Sequence, residues 1–249
     1  MKTVAILIDF DNAFQRPMNC YTNADFQRTI DFAINTARSA IADVEKIVVR
    51  LYGGWYQDNS LTARASAVSS LLPELDRLFP IIEQQPSRLI HGSVELATQL
   101  YGHSFVWYNS YREHYGLHKL RVNTSVMGEK CAENNDTCPV KILKKFTEKK
   151  SRICHHEGCS TVHSKVFFER AQKYVDTMMT CDIITLGSDE EVVGIYVMSE
   201  DVDLFPAFAV AHDLNETEAK LGLILRSVSQ LEHYMALLSP FDIAVTYIH

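Results

Sequence analysis

Residues 4–12 read VAILIDFDN, five apolar residues followed by the carboxylate of Asp9. A continuous apolar run rich in β-branched side chains is typical of a strand that is covered on both faces of a parallel sheet. Ligands of open α/β sheets bind beyond the carboxyl ends of such strands. We therefore predict that residues 4–8 form the first strand and that Asp9 lies where chemistry is expected. For Asp11 and Asn12, a plain turn or cap role is the alternative.

Alternating periodicities outward from this strand predict the rest of the fold. Apolar residues at three- and four-residue spacing predict a helix over residues 25–42 with Asn23 as its N-cap, and residues 46–52 (KIVVRLY) predict a second strand. Further helices are predicted over 61–78, 164–182, 204–212 and 230–238, and further strands over 118–126, 192–198, 222–225 and 243–247. Residues 86–104 have poor periodicity. The alternation indicates an α/β fold with a mainly parallel sheet.

The composition is that of an ordinary globular protein. The chain has 249 residues, of which 47% are hydrophobic and 22% charged, which fits a single domain over residues 1–249 and excludes a disordered or collagenous chain. No apolar run approaches the ~18 to 20 residues of a membrane span, and the first apolar run is too short for a secretory signal. We predict a cytoplasmic protein with no membrane partner.

The charge is unevenly distributed along the chain. The net charge is −7 at pH 7, yet residues 112–173 contain 13 Lys and Arg against 7 Asp and Glu. A basic segment on an acidic body indicates that an anionic partner is held locally, while carboxylates serve another purpose elsewhere.

A second acidic group, residues 199–203 (SEDVD), follows the predicted strand over 192–198. Helix capping explains one carboxylate there, most naturally that of Asp203. If the strands that carry Asp9 and Asp201 are neighbours, their carboxylates converge at one edge of the sheet. A divalent cation is the simplest way to offset the resulting repulsion.

A third polar group lies within the predicted helix over 164–182. Lys173 and Asp176 are three residues apart and share one helix face. Without further evidence, the simplest interpretation of Lys173 and Asp176 is an exposed ion pair.

Three motifs together resemble the signature segments of the NYN family, whose nuclease domains belong to the PIN-like superfamily. The motifs are ILIDFDN, KYVDTMMTCDII and YVMSEDVDLFP, in this order along the chain. The resemblance implies a Rossmann-like, three-layer α/β/α PIN-like domain with a mainly parallel central sheet. It also implies a metal-dependent ribonuclease whose acidic cluster coordinates Mg²⁺ or Mn²⁺.

The resemblance also implies roles for individual residues. It makes five residues catalytic: Asp9, Asn12, Asp176, Asp201 and Asp203. Of these, Asp9, Asp176 and Asp201 would bind the metal. Two positions depart from the family pattern, because Tyr174 and Glu200 stand where its motifs have glycine.

Residues 128–163 resemble a zinc-binding insertion. The two cysteine pairs in this segment are separated by 15 residues, and four thiolates would complete a tetrahedral zinc shell: Cys131, Cys138, Cys154 and Cys159. The spacings are wider than the usual CxxC, a histidine could replace one cysteine, and free thiols are the alternative.

A basic strip between the cysteine pairs is suited to phosphate contacts without sequence readout. We predict that it binds RNA together with Lys173, through Lys141, Lys144, Lys145, Lys149, Lys150 and Arg152. A solvated helix face is the alternative. Rings that could stack on unpaired bases come before it, among them Trp107, Tyr108 and Tyr111; for most of these rings, packing within the fold is the favoured alternative.

Two other functions compete with metal-dependent hydrolysis of RNA. The first is a noncatalytic RNA-binding module whose acidic pocket holds a structural ion. The second is a phosphatase of the haloacid dehalogenase type, because Asp9-Phe10-Asp11 at a strand end resembles its nucleophile loop; Ala13 and Phe14 do not match that loop. The sequence leaves open whether the chain forms a homo-oligomer.

Overall fold

The structure is a computed structural model that describes residues 1–84, 87–115, 137–154, 157–215 and 218–248. The chain forms two compact units. The first comprises Met1–Ser110 and Gln172–His249, and the second comprises Tyr111–Ala171. The strand predicted over residues 118–126 lies outside the described residues.

A seven-stranded sheet forms the centre of the first unit. In chain order its strands are β1 (Thr3–Asp9), β2 (Lys46–Tyr52), β5 (Ile81–Gln84), β6 (Ser87–Leu96), β9 (Val192–Met198), β10 (Lys220–Leu225) and β11 (Ala244–Tyr247). Their spatial order is β11-β10-β9-β1-β2-β6-β5. All neighbouring pairs are parallel except β5 and β6, which are antiparallel. The prediction of a mainly parallel α/β sheet is confirmed.

Strand β1 lies in the middle of this sheet because it pairs on both sides. Ile8 is opposite Leu51 of β2 and opposite Met198 of β9. All seven residues of β1 are buried, as expected for a strand covered on both faces. The carboxyl ends of β1 and β9 therefore meet at the same edge of the sheet.

Helices cover both faces of the sheet, in a layout consistent with a Rossmann-like fold. Those of the first unit are α1 (Phe10–Ala13), α2 (Asn23–Ala40), α3 (Ala63–Leu75), α6 (Val175–Gly187), α7 (Phe205–Leu214) and α8 (Leu231–Leu238). None of the helices in the described part of the chain is both long and apolar enough to cross a lipid bilayer.

Two separate cores result from the alternation of side chains along β1. Ile6 and Ile8 pack with α2 and α3 on one face, whereas Ala5 and Leu7 pack with α6, α7 and α8 on the other. Full burial of one such aliphatic side chain contributes about 1.5 to 3 kcal/mol. The sheet is thus held rigidly from both sides, which makes its edge a stable support for functional groups.

The first long helix, α2, begins with a capping box one residue before the predicted cap. The Thr22 side chain accepts a hydrogen bond from the Asp25 N–H, and the Asp25 carboxylate accepts one from the Thr22 N–H. The prediction of Asn23 as N-cap is therefore wrong, because the Thr22 hydroxyl and the carboxylate three residues later satisfy two free backbone donors at once.

The single helix predicted over residues 164–182 is also wrong. The chain there forms a short helix α5 (His163–Val166), a strand β8 (Phe168–Gln172) and then α6. Tyr174 separates strand from helix, since its φ of 68° lies in the left-handed region and cannot continue a right-handed helix. Periodicity also missed β6, which occupies most of the stretch judged irregular.

The second unit spans the predicted basic strip and all four predicted zinc ligands, three of which are among the described residues. Its described elements include β7 (Tyr111–Tyr115), α4 (Pro139–Thr147), α5 and most of β8. β7 and β8 form a two-stranded sheet. Rings of Phe146, His163 and Phe167 pack against each other with centroids 5.5 to 5.9 Å apart, and this cluster holds α4 against α5.

The small two-stranded sheet of β3 (Tyr56–Gln57) and β4 (Ser60–Leu61) completes the first unit, between β2 and α3.

Candidate active site

A cavity of about 200 Å³ lies in the first unit, where β1 and β9 end and α6 begins. Its lining is dominated by carboxylates from three chain segments. The lining residues are Asp9, Asp11, Asn12, Gln172, Tyr174, Val175, Asp176 and Asp201. The structure therefore brings together four of the five predicted catalytic residues, and Asp203 is the one that is not part of the lining. We call this feature the acidic cavity.

Asp9 is the most deeply buried carboxylate of the acidic cavity, with 4% of its surface exposed. One carboxylate oxygen accepts hydrogen bonds from the backbone N–H groups of Asp11 and Asn12, at 3.1 and 3.2 Å. The other accepts from the Asn12 side-chain amide and from the Ser199 hydroxyl. Burial nevertheless raises the pKa of Asp9, and the nearby charge of Asp11 adds to this effect. The side chain is thus fixed in position, but its charge is costly without a cation.

Asp176 occupies the first turn of α6 and lines the same cavity as Asp9. Its pKa is raised, first by desolvation and then by the negative charges of Asp201, Asp9 and Asp203. Repulsion among these carboxylates is expected at a site that binds a cation. The predicted exposed Lys173–Asp176 pair is absent from the ion pairs between described residues.

Ser199 connects the two acidic strand ends. Its hydroxyl donates to Asp9 at 3.3 Å and accepts from the Asp201 N–H at 3.1 Å. Asp201 in turn accepts a hydrogen bond from the Asp203 N–H at 2.9 Å. Asp201 rather than Asp203 is therefore the cap, contrary to the prediction, because a carboxylate before the turn can reach the N–H two residues later whereas Asp203 lies within it. Asp203 is exposed, and its negative charge contributes to raising the pKa of Asp176.

Tyr174 lies at the cavity with a left-handed backbone conformation. Its φ of 68° is one that glycine adopts at no steric cost, and glycine is the residue that the motif has at this position. A tyrosine here costs about 1 to 3 kcal/mol of backbone strain. The ring is partly exposed and lines the cavity.

Glu200, the other position where the NYN motif has glycine, forms hydrogen bonds outside the cavity. One of its carboxylate oxygens accepts a hydrogen bond from the Arg226 N–H at 3.2 Å, and its backbone carbonyl accepts one from the Tyr234 hydroxyl at 2.8 Å. It joins the loop after β9 to the loop after β10 and is not part of the cavity lining.

Asp11 and Arg64 also belong to the site, although the sequence analysis gave neither of them a catalytic or metal-binding role. The Arg64 guanidinium of α3 forms an ion pair with Asp11 and lies 5.8 Å from the Phe10 ring centroid. Asp11 lies two residues after the end of β1, and this position could have identified it as a site residue. Arg64 had no sequence signal, since 53 residues separate it from Asp11.

A row of three rings leads away from the cavity, and we call it the aromatic strip. Phe105 and Trp107 have centroids 5.3 Å apart, and Trp107 and Tyr174 have centroids 5.8 Å apart. Phe105 is 65% exposed. The sequence indicated Trp107 but not its two partners. Tyr108 is exposed and packs on Tyr56 instead.

The predicted RNA-binding cations lie in different parts of the chain. Lys173 belongs to the first unit, where its backbone N–H donates to the Ser110 carbonyl at 2.7 Å. The basic strip belongs to the second unit, where α4 carries Lys141, Lys144 and Lys145, and Lys149, Lys150 and Arg152 follow. Lys145, Lys149 and Lys150 are exposed.

Two of the predicted zinc ligands are close together. The sulfur of Cys159 hydrogen-bonds the Thr161 hydroxyl at 3.1 Å, and this contact, with smaller contributions from the Thr161 backbone and Cys154, lowers the pKa of the Cys159 thiol. Cys138 is buried at the start of α4. Cys131 lies outside the described residues.

The described residues contain no group of three His, Cys, Asp or Glu side chains that is arranged to hold a metal ion as it stands. The carboxylates of the acidic cavity thus surround a shared space without converging on one point.

Replacing Asp176 with Asn is expected to stabilise the metal-free protein. The folded-state pKa of Asp176 is raised, so the ionised form that predominates at pH 7 is disfavoured by folding. Because Asp176 is exposed and screened by water, we expect only about 0.5 kcal/mol, or about 1 to 2 °C in Tm.

The higher stability of Asp176→Asn should be present at pH 7 and disappear as the pH falls towards the ordinary pKa of an aspartate, about 3.9. Thermal unfolding in EDTA between pH 4 and pH 7 measures it. Glu190→Gln, at an exposed position between α6 and β9, is the matched control and should not change Tm. A lower Tm for Asp176→Asn at pH 7 would contradict the assignment of mutual repulsion.

Comparison of the chain with known protein families, with curated proteins and with solved structures found no significant match.

Proposed function

We propose that this protein is a metal-dependent ribonuclease that hydrolyses phosphodiester bonds at the acidic cavity. The observation that supports the proposal most is the meeting of Asp9, Asp176 and Asp201 around one cavity of about 200 Å³. These three residues are the ones that the NYN resemblance assigns to the metal. They come from positions 25 to 192 residues apart in the chain, so their proximity is a property of the fold rather than of a local acidic run.

The donor chemistry of the acidic cavity fits Mg²⁺ or Mn²⁺. Both ions prefer oxygen ligands, and Mg²⁺ retains several waters while one or two carboxylates hold it. Within the described ranges, the Asp176 carboxylate and one oxygen of Asp201 accept no hydrogen bond, so small side-chain rotations could turn them towards an ion. A bound cation would supply charge stabilisation for the phosphoryl oxygens and a bound water of lowered pKa.

The chain's own residues would then position the substrate and the ion. Asp9 is the fixed point, because backbone N–H groups and the side chains of Asn12 and Ser199 hold its carboxylate. Arg64 would limit the negative charge at the rim through its ion pair with Asp11. Asp176 and Asp201 would complete the binding of the cation.

The aromatic strip favours an unpaired RNA strand as the substrate. Stacking of one base on an aromatic side chain contributes about 1 to 3 kcal/mol and tolerates any base. Rings accessible next to the cavity can receive bases only where these are not already stacked in a duplex. The exposed face of Phe105 and the ring of Tyr174 meet this requirement.

Incubation of the purified protein with a mixed pool of RNA in Mg²⁺, in Mn²⁺ or in EDTA tests the proposed function, with the new ends mapped by sequencing. We expect cleavage with either metal, none in EDTA, and a preference for unpaired segments. RNA that stays intact in both metals while the protein binds it would instead support the noncatalytic RNA-binding module. An acid-labile phosphate on Asp9 after incubation with a phosphomonoester would support the phosphatase.

We also propose that the second unit holds a structural zinc ion through cysteine thiolates. The support is the approach of Cys154 to Cys159 together with the lowered pKa of Cys159, since zinc is bound by the thiolate form. Replacing both residues with Ser should remove about one equivalent of zinc and lower the Tm of the second unit.

Elemental analysis of protein purified without added metal measures the zinc content. Cys181→Ser, a cysteine of α6 in the first unit, is the control and should leave it unchanged. An equal zinc content in the double variant and in the control would reject the site.

A further inference from the structure

A second cavity, of about 510 Å³, is lined in part by the last residue of the short helix α1 and the residue after it. Asp11 and Asn12 line the acidic cavity, whereas the next two residues, Ala13 and Phe14, line this second one. Consecutive Cα atoms are about 3.8 Å apart, so the two cavities share a wall only a few residues thick. We call the second cavity the arginine pocket.

The arginine pocket is positively charged, unlike its neighbour. Three of its lining residues are Arg16, Arg28 and Arg226, against one carboxylate, that of Asp25. Asp25 is paired with Arg28 through a bond to the guanidinium. The guanidinium groups of Arg16 and Arg226 form no ion pair with any residue in the described ranges, so their charge is available to a ligand. On a chain with a net charge of −7, this concentration of arginine indicates an anionic ligand.

One wall of the arginine pocket is aromatic. Phe14, Tyr21 and Phe32 contribute to it, and the Phe14 and Tyr21 rings meet edge to face with centroids 5.4 Å apart. Tyr21 also accepts a hydrogen bond from the Arg16 N–H at 3.0 Å, which fixes the loop that carries Arg16. A flat ring and a phosphate could therefore be held side by side, which is the chemistry of a nucleotide.

The order of the strands places this pocket in line with the acidic cavity. Arg226 directly follows β10, Asp201 follows β9 and Asp9 ends β1, and these three strands are consecutive neighbours in the sheet. Neighbouring strands are about 4.8 Å apart. The Glu200 carboxylate, which bonds the Arg226 N–H, connects the two loops directly. Trp107 of the aromatic strip lies near the carboxyl end of β6. Its backbone N–H donates a hydrogen bond to the carbonyl of Thr98, two residues after that strand.

From this arrangement we infer that the arginine pocket binds one nucleotide of the RNA strand whose phosphodiester lies at the acidic cavity. This inference rests on the proposed function. Arg16, Arg28 and Arg226 bind the phosphate, and the aromatic wall packs against the base. The pocket supplies the positive charge that a polyanion needs beside four carboxylates, and it sets the direction of the strand across the edge of the sheet.

Binding of a fluorescein-labelled 12-nucleotide oligouridylate in EDTA tests the inference without cleavage. Fluorescence anisotropy should show that Arg16→Gln/Arg226→Gln binds at least 10-fold more weakly than wild type. Each lost phosphate contact lowers the slope of log K against log salt by about 0.7 for single strands, so the double variant should lose about 1.4. Circular dichroism verifies that both proteins are folded.

Lys220→Gln is the matched control, because Lys220 is exposed at the start of β10, whereas Arg226 follows the end of the same strand. The separation is about 20 Å at 3.3 Å per residue. The affinity of Lys220→Gln for the oligouridylate should stay within about twofold of that of wild type. A double arginine variant that binds as tightly as Lys220→Gln would overturn the inference.

Cys20 offers a second measurement on the wild-type protein. It is an exposed free thiol that lines the arginine pocket. The unlabelled oligouridylate should slow its alkylation by maleimide at least fivefold, as measured by peptide mass spectrometry, and should not affect Cys181. Equal rates for Cys20 with and without the oligonucleotide would contradict occupancy of the pocket.

The two proposals can fail separately. If the wild-type protein binds RNA through Arg16 and Arg226 but does not cleave it in Mg²⁺ or Mn²⁺, the nuclease proposal is rejected and the proposed role of the arginine pocket is supported. If the double variant binds and cleaves RNA like wild type, the proposed role of the arginine pocket is rejected and the nuclease proposal stands.

Discussion

The Asp9→Asn variant is expected to lose at least about a thousandfold in metal-dependent RNA cleavage. Asp9 is the buried, fixed carboxylate of the acidic cavity, and Asn removes its charge while keeping its shape. A thousandfold corresponds to about 4 kcal/mol of transition-state stabilisation, which is within the several kcal/mol that a bound cation supplies. RNA binding in EDTA should stay within about threefold, because the cations proposed to contact phosphate are unchanged.

Single-turnover cleavage of an unpaired RNA, measured alongside anisotropy, checks both parts of this prediction. Asp213→Asn is the matched control. This exposed residue lies near the end of α7, a helix that begins beside the acidic cavity and returns towards the start of β10. It should cleave at the wild-type rate. If purified Asp9→Asn cleaves as fast as Asp213→Asn, the acidic cavity is not the catalytic site.

The second large effect concerns stability. Asp182→Ala is expected to lower the free energy of unfolding by about 3 kcal/mol or more. The Asp182 carboxylate is buried in α6, where it accepts hydrogen bonds from the Arg50 guanidinium, the Tyr52 hydroxyl and, at 2.8 Å, the Tyr101 N–H. Removing it leaves the buried Arg50 charge with Glu95, which is half exposed, as its remaining carboxylate partner. Removing one partner of a buried ion pair typically costs about 3 to 5 kcal/mol, because the remaining charge stays buried with less compensation.

Urea unfolding at pH 7 measures this loss. Glu191→Ala, which breaks an exposed ion pair with the N-terminus at 3.1 Å, is the control and should cost less than about 0.5 kcal/mol. The double variant Arg50→Met/Asp182→Leu removes both charges and should recover much of the lost stability, because apolar side chains of similar size avoid the desolvation cost. Equal losses in the single and double variants would show that packing, and not the buried charge, dominates.

The two predictions are linked through α6. Asp176 lies in the first turn of this helix and Asp182 lies six residues later, anchored to Arg50 of β2. The buried pair therefore fixes the helix that presents Asp176 to the acidic cavity. The stability of the core and the geometry of the site depend on the same element.

Strands with continuous apolar runs were the part of the fold that could be predicted closely. β2 and β9 have the predicted bounds, and β1 extends one residue beyond the prediction at each end. A run of buried β-branched residues is compatible with few other structures in a globular chain. The helix predicted over 164–182 failed because the apolar spacing of residues 167–171 is also satisfied by β8, and because no propensity indicates a left-handed Tyr174.

Without the NYN resemblance, which alone assigned a role to Asp176, the candidate site could be predicted only where a residue follows a strand. Asp9 and Asp201 had this signal, and the structure brings both to the acidic cavity. Arg64, Phe105 and the pair of Arg16 and Arg226 had none, because each reaches its position through contacts with segments far away in sequence.

The sequence by itself determined which segments are buried strands and which carboxylates follow them, since these properties depend on neighbouring residues and on local hydrophobic periodicity. Only the tertiary structure decided that β1 lies between β2 and β9, and hence that Asp9 and Asp201 share one cavity with Asp176. It also decided that arginines at positions 16, 28 and 226 surround one pocket beside that cavity. The physical reason is that strand order is set by long-range packing of two apolar layers on one sheet, and the free energy of that packing is distributed over both cores rather than encoded in any single motif.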